Sequence, residues 1–335
     1  MKISCKARLI NALVRNRHWF RGRLRKERFS MQTSIEGFRA QCERGASRFG
    51  KIPADVRIEE VNIEGIRAEW HHPENEASGK LILYMHGGGY VSGSCSDHRG
   101  FVARFARRCG LSCLVFEYRL APEHPFPAAL EDSVKVYRWL PGQGFFPEHV
   151  IFAGESAGGG LVLASLLAIR DRGLPMPLAA VAVSPWTDLA CSGSSYRTKN
   201  RRSAAPLDSW TVFSRHYAGN EDVRNPYISP LYGDLHDLPP LFLNAGTDDE
   251  LYDDAEQFFH KAKAAGVDVV FRSGEGMLHC YPFFAPMFRE ATEAMDEICG
   301  FVKKKFGSNH HVNDFPGNHD HLPGSAGGDP FLCFR

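Results

Sequence analysis

One short segment constrains this chain more than any other. An apolar run at residues 150–152 leads into Ala153-Gly154-Glu155-Ser156-Ala157-Gly158, and an Ala/Leu-rich stretch continues to Arg172. The order reads as strand, sharp turn, helix, which is the setting a G-x-S-x-G nucleophile turn requires. Glycines at 154 and 158 let strand and helix approach closely, and the turn holds Ser156 in a strained backbone conformation. The helix that follows points the positive end of its dipole at the serine. A Gly-rich turn carrying a solvated serine has the same five letters, so the partners elsewhere in the chain must decide.

The rest of the pattern is consistent with such a site. Val56, Ile58, Val61 and Ile63 alternate with polar residues, and Ile66 to Trp70 follow a Glu-Gly turn, as in a hairpin. A continuous apolar run at 81–85 reads as a strand buried on both faces, and 111–116, 179–183, 241–244 and 267–271 read as further strands. Helical segments at 97–109, 128–140, 252–265 and 283–304 fall between or after them. Strands alternating with helices imply an α/β fold, a mostly parallel central sheet with helices on both faces. The 335 residues are enough to bury about three quarters of the unfolded surface, so a large core is available. The alternation stops between 187 and 225, a polar stretch with Arg197, Lys199, Arg201 and Arg202 that reads as an insertion over one end of the sheet.

A serine hydroxyl is a poor nucleophile near neutral pH and needs an imidazole base, itself oriented by a carboxylate. On a sheet of this kind the chain order is Ser, acid, His, with both partners on loops after late strands. The loop after 241–244 offers Asp248 and Asp249, and the loop after 267–271 offers His279. The two aspartates also suit a helix start, and His279 a turn, so the residues alone leave the acid open. Backbone N–H groups must also face the carbonyl oxygen as it becomes negative. His86-Gly87-Gly88-Gly89-Tyr90 follows the run at 81–85, and its glycines free the chain to turn amides toward a substrate. Ala157 N–H supplies the remaining donor. Neither a Lys-Ser/Thr pair nor a G-x-G-x-x-G accompanies those glycines, which weakens a phosphate-binding reading.

Composition removes other classes. A net charge of +1 gives no general attraction to nucleic acid or membrane. Nine scattered cysteines without C-x-x-C argue against a disulfide framework or zinc knuckle, and suit a reducing, cytoplasmic compartment. No run of 18 apolar residues exists, and the apolar stretch at 9–14 is too short for a secretory signal. The basic N-terminal segment has a short apolar stripe, which favours packing on the body over lying on a membrane. From Gly307 the chain is rich in Gly, His, Asn and Pro and is expected to be disordered; His310, His311, His319 and His321 are weak metal candidates there. No metal or cofactor is expected.

His86-Gly87-Gly88-Gly89-Tyr90-Val91-Ser92-Gly93-Ser94, Tyr118-Arg119-Leu120-Ala121-Pro122-Glu123, Gly154-Glu155-Ser156-Ala157-Gly158 and the late Asp and His blocks occur in that order. Over about residues 50–305 the chain resembles the hormone-sensitive-lipase family of carboxylesterases, bacterial family IV of the α/β-hydrolase superfamily. The resemblance implies an α/β-hydrolase fold and hydrolysis of short- to medium-chain acyl esters. It implies Ser156 as nucleophile, His279 as base and, four residues before Asp253, Asp249 as the acid. Gly88, Gly89 and Ala157 would form the oxyanion hole, Tyr90 would bind substrate, and His86 would hold its loop. Residues 1–45 and 187–225 would cap a catalytic domain at 46–306, with 307–335 as the tail. The implied partner is a small-molecule ester, with no nucleic acid and no stable membrane insertion, and a homodimer through the edge strand at 267–271. The same triad serves lactone or amide/acetyl hydrolysis. Plant gibberellin receptors resemble the family but lack the catalytic histidine, which is matched here by His279.

Overall fold

Eight strands form a single sheet: β1 (Val56–Ile63), β2 (Ile66–Pro73), β3 (Leu81–Met85), β4 (Ser112–Phe116), β5 (Val150–Glu155), β6 (Ala179–Val183), β7 (Leu241–Gly246) and β8 (Val269–Gly274). The structure, a computed structural model, describes residues 3–16, 26–49, 51–203 and 205–307. The expected disordered tail and its histidines lie outside the described residues, except for Gly307. The strand order is β1-β2-β4-β3-β5-β6-β7-β8. β1 and β2 form an antiparallel hairpin, β2 runs antiparallel to β4, and every later pairing is parallel.

The fold is that of an α/β-hydrolase. Alternation along each central strand divides its side chains between two cores. Leu81, Leu83, Met85, Val150 and Phe152 enter one cluster, while Ile82, Tyr84, Ile151 and Ala153 enter the other. Helices α4 (Ala128–Trp139), α5 (Ala157–Asp171) and α8 (Tyr252–Ala264) cover the first face. Helices α3 (Cys95–Cys109) and α9 (Arg289–Gly307) cover the second. The parallel register pairs Met85 with Gly154 and Glu155 with Val183, so the loops after these strands emerge along one edge. β4 lies on one side of β3 and β5 on the other, and such a reversal opens a crevice at the carboxyl ends of the strands.

Among the boundaries that differ from the sequence expectation, two have a clear local cause. The last strand begins at Val269 rather than 267, because Gly266 turns with φ 81° and the Val267 amide closes α8 by donating to Ala262 O. The last helix begins at Arg289 rather than 283, because Pro282 lies in a short 3-10 turn and Pro286 follows it. Proline has no N–H to carry a helical ladder.

The N-terminal helices divide the cap expected at 1–45. α1 (Cys5–Arg15) packs Ala7 against Met277, Phe288 and Ala291, beside α9 and the loop that follows β8. Ser4 Oγ donates to Glu290 at 2.8 Å and Asn11 Nδ2 to Gly276 O at 3.0 Å. α2 (Ile35–Phe49) instead joins the insertion, which carries α6 (Ser195–Thr198) and α7 (Ser209–Ala218). Phe29, Phe38 and Phe213 pack ring on ring at 5.3–5.7 Å, and the Phe29 amide donates to Leu207 O at 2.8 Å. Asp254 ties the insertion to α8 by accepting from the amides of Thr187 and Asp188 at 3.0 and 2.8 Å. Among the described residues no helix is long and apolar enough to cross a membrane.

Candidate active site

Ser156 sits where β5 passes into α5 with φ 56° and ψ −123°. A non-glycine residue there stores about 1–3 kcal/mol, which its surroundings must offset. They do so through three backbone bonds: Ser156 N–H to Val183 O at 2.9 Å, and Ser156 O accepting from Gly160 and Trp186 amides at 3.0 and 2.9 Å. Gly158 is required by close approach, since a Cβ there would lie 2.1 Å from Met85 O.

His279 comes from the loop after β8, and its Nδ1 lies 2.8 Å from Asp249 Oδ2. Asp249 is fully buried, and its other oxygen accepts from the Leu251 amide at 3.1 Å, so the carboxylate is held from both sides. Burial opposes a charge on His279, but the Asp249 carboxylate together with the Cys280 side chain raises the imidazole pKa well above its ordinary value. The neighbouring Cys280 thiol is itself pushed up by burial, against the lowering effect of His279. Asp248, one residue earlier, faces away: it pairs with Arg15 of α1 and approaches Arg202 at 3.5 Å.

Gly88 and Gly89 line the same cavity as Ser156 and His279, a space of about 400 Å³. Gly88 has φ 123°, and its carbonyl accepts from Ser92 N and Ser92 Oγ at 3.0 and 2.9 Å, so that carbonyl is turned back into its own loop. Ala157 is the first residue of α5, where helix geometry leaves the N–H without an intrahelical partner. The arrangement can shift a proton from a serine to an imidazole and offer amides to a developing oxyanion.

A family model for the alpha/beta hydrolase fold matches residues 82–283. The chain is 38% identical over 278 residues to an acetyl-hydrolase of Streptomyces hygroscopicus, covering 82% of this chain and 91% of that protein. It is 32% identical over 250 residues to an esterase of Acinetobacter venetianus, covering 74% and 82%. Among solved structures, the esterase EstE5 soaked with p-nitrophenyl butyrate superposes with a TM-score of 0.84 at 36% identity, covering 91% of this chain and 100% of that one. An esterase from the bacterial hormone-sensitive lipase family gives 0.83 at 35% identity, covering 92% and 100%. The chain belongs to the hormone-sensitive-lipase family of α/β-hydrolases.

The hydrolase holds its site with residues that sequence reasoning passed over. Glu155 fixes the oxyanion loop to the nucleophile turn: Oε1 accepts from the Gly87 amide at 2.6 Å and lies 2.9 Å from His98 Nε2, while Tyr84 OH donates to Oε2. Burial opposes a charge on His98, but Glu155 outweighs it and raises the pKa. The available signal was an acid at the end of an otherwise apolar strand. Cys280, at φ 53°, donates its amide to Ser184 Oγ at 3.1 Å and so fixes the turn beside His279. His86 is buried and stacked on Tyr118 at 4.2 Å, and burial lowers its pKa to about 3, so it is a neutral wedge.

Tyr90, expected to bind substrate, does not line the hydrolase cavity. Its ring is buried and stacked on Tyr217 of α7 at 3.7 Å, because φ 61° turns it from the cavity into the core beneath the insertion. The roof comes from Phe38 and Cys42 of α2 and from Pro206, Trp210 and Phe213 of the insertion. Trp210 stands edge-on to His279 at 5.5 Å, held by Nε1 donating to Glu250 at 3.1 Å. No cluster of three metal-ligating side chains occurs among the described residues.

Proposed function

We propose that the chain is a serine carboxylesterase that hydrolyses short- to medium-chain acyl esters through an acyl-enzyme. Family membership makes it a carboxylic ester hydrolase. One observation carries the finer reading: His279, bonded to buried Asp249 at 2.8 Å, shares a cavity wall with Ser156 and the Gly88–Gly89 turn. Ser156 attacks the ester carbonyl while His279 takes its proton, and Asp249 holds the imidazole tautomer and stabilises the imidazolium. Gly88, Gly89 and Ala157 amides bind the oxyanion of the tetrahedral intermediate. His279 then protonates the leaving alcohol. A water, deprotonated by His279, attacks the acyl-enzyme and frees the acid, restoring Ser156.

The cavity of about 400 Å³ suits a small ester, near the lower end of small-molecule sites. α2 and the insertion act as its cap, and by analogy with the family β8 would be the edge of a homodimer. Nine scattered cysteines without C-x-x-C support a reducing, cytoplasmic setting. A second reading, removal of an acetyl group from an alcohol or amine, is favoured by the likeness to the Streptomyces acetyl-hydrolase. Release of p-nitrophenol from acetate, butyrate, octanoate and palmitate esters tests the main reading. Activity should fall with chain length, and Ser156→Ala should lose about 10⁴-fold or more in kcat. Comparable turnover by that variant would rule out the serine.

A further inference from the structure

A second cavity, of about 450 Å³, lies behind the catalytic one, bounded by α3, residues 51–53, the turn after His279 and α9. Its walls are apolar: Ile52, Phe101, Phe105, Phe283 and Met295. Phe283 lines both cavities and stacks on Phe101 at 3.7 Å, so a single layer of rings separates them. None of the steps of ester hydrolysis uses this second space.

Its charge is one-sided. Four cations line it, Lys51, Arg104, Arg107 and Arg108. Two are already paired, Arg107 with Asp55 at 2.7 Å and Arg108 with Asp296 at 2.6 Å. Arg104 is different: it makes one long bond, to Lys51 O at 3.4 Å, and no carboxylate among the described residues is within ion-pair distance. It is half-buried, and burial alone acts on its pKa, lowering it. A guanidinium drawn partly out of water without an anion is an unfavourable arrangement that a bound carboxylate would relieve. An apolar cleft with one such cation is matched by an anion carrying a short hydrocarbon chain.

We propose that this cavity is a second binding site for a medium-chain carboxylate anion, its carboxylate on Arg104 and its chain against Phe101, Phe105 and Met295. This ligand class is the acid that ester hydrolysis releases, and that link rests on the esterase reading above. Binding itself does not require the triad. Neutral and cationic amphiphiles lack the group that Arg104 calls for.

Octanoate is the probe, measured by calorimetry on the full chain after a sulfonyl fluoride has capped Ser156 and closed the catalytic cavity. The capped enzyme should still bind one octanoate, octylammonium should not bind, and Arg104→Gln should weaken octanoate about tenfold, as loss of a charge-assisted pair does. Arg104→Gln should leave turnover of p-nitrophenyl acetate unchanged, which reports that the variant is folded. Absence of octanoate binding to the capped enzyme, or an unchanged Kd in Arg104→Gln, overturns the proposal. Should the reagent fail to label Ser156, the esterase reading is at fault, and the Arg104→Gln comparison on uncapped protein still decides the second site.

Discussion

In the catalytic cavity the floor is joined by hydrogen bonds, whereas the contact between the two helices of the roof is aromatic. On the floor, Ser156 is fixed by backbone hydrogen bonds, the Gly87 amide by the Glu155 carboxylate, Asp249 by the Leu251 amide and His279 by the Asp249 carboxylate, all at the carboxyl edge of the sheet. On the roof, α2 and α7 meet through aromatic rings, and Phe29, Phe38 and Phe213 touch without a polar bond between their side chains. Hydrogen bonds fix atoms to a few tenths of an ångström, whereas ring packing is non-directional and tolerates substitution. On the proposed reading, the floor would set the chemistry and the roof which ester enters.

The largest expected effect breaks the floor at its acid. Asp249→Asn should lower kcat about 10³–10⁴-fold, because the amide favours the wrong imidazole tautomer. Asp248→Asn, one residue away but bonded to Arg15, should keep near-normal kcat and lose about 1 kcal/mol of stability, read from thermal unfolding. pH sharpens the contrast. His279 must be neutral to accept a proton, so the acid limb of kcat/KM should lie above pH 6.5, its ordinary value. Any residual activity of Asp249→Asn should have that limb moved to lower pH, since the carboxylate that raises the pKa is gone. A limb unmoved in Asp249→Asn would separate the two residues.

Smaller effects follow. Gly88→Ala would bring a Cβ within 2.1 Å of Ser92 O, at a φ that side chains avoid, so the loop must shift. Losing one oxyanion donor should cost about 10²–10³-fold in kcat while acyl-chain preference stays fixed. The roof should respond the other way. Phe213→Ala should change kcat for the acetate ester little and raise the octanoate-to-acetate ratio of kcat/KM by about tenfold, the scale of hydrophobic discrimination in pockets. A loss on all esters alike would mean that the roof also positions the floor.

The same contrast explains what the sequence disclosed. β3 and β6 occupy the apolar runs at 81–85 and 179–183 because strands buried on both faces leave no alternative. The Ser156 turn was readable because its glycines answer a local steric demand. The choice between Asp248 and Asp249 was not local. Asp248 N donates to Met277 O and Asp249 Oδ2 lies 2.8 Å from His279 Nδ1, so the orientation of each residue depends on a loop about 30 residues away. Glu155 was hidden for the same reason, since its partners Tyr84, Gly87 and His98 come from other segments. Tyr90 adjoins the glycine turn in sequence, but its backbone turns it into the core, where Tyr217 awaits. α1 has helical spacing, but its place beside α9 and the loop after β8 is set by tertiary contacts.

The central claim is that the acyl group passes through Ser156. Rapid acid quenching during turnover of p-nitrophenyl butyrate, followed by peptide mass spectrometry, tests it most directly. The account predicts one butyryl group on the peptide containing Ser156, accumulating as fast as the first equivalent of p-nitrophenol appears. A butyryl group on another residue with Ser156 unmodified, or a fully active Ser156→Ala, would contradict it.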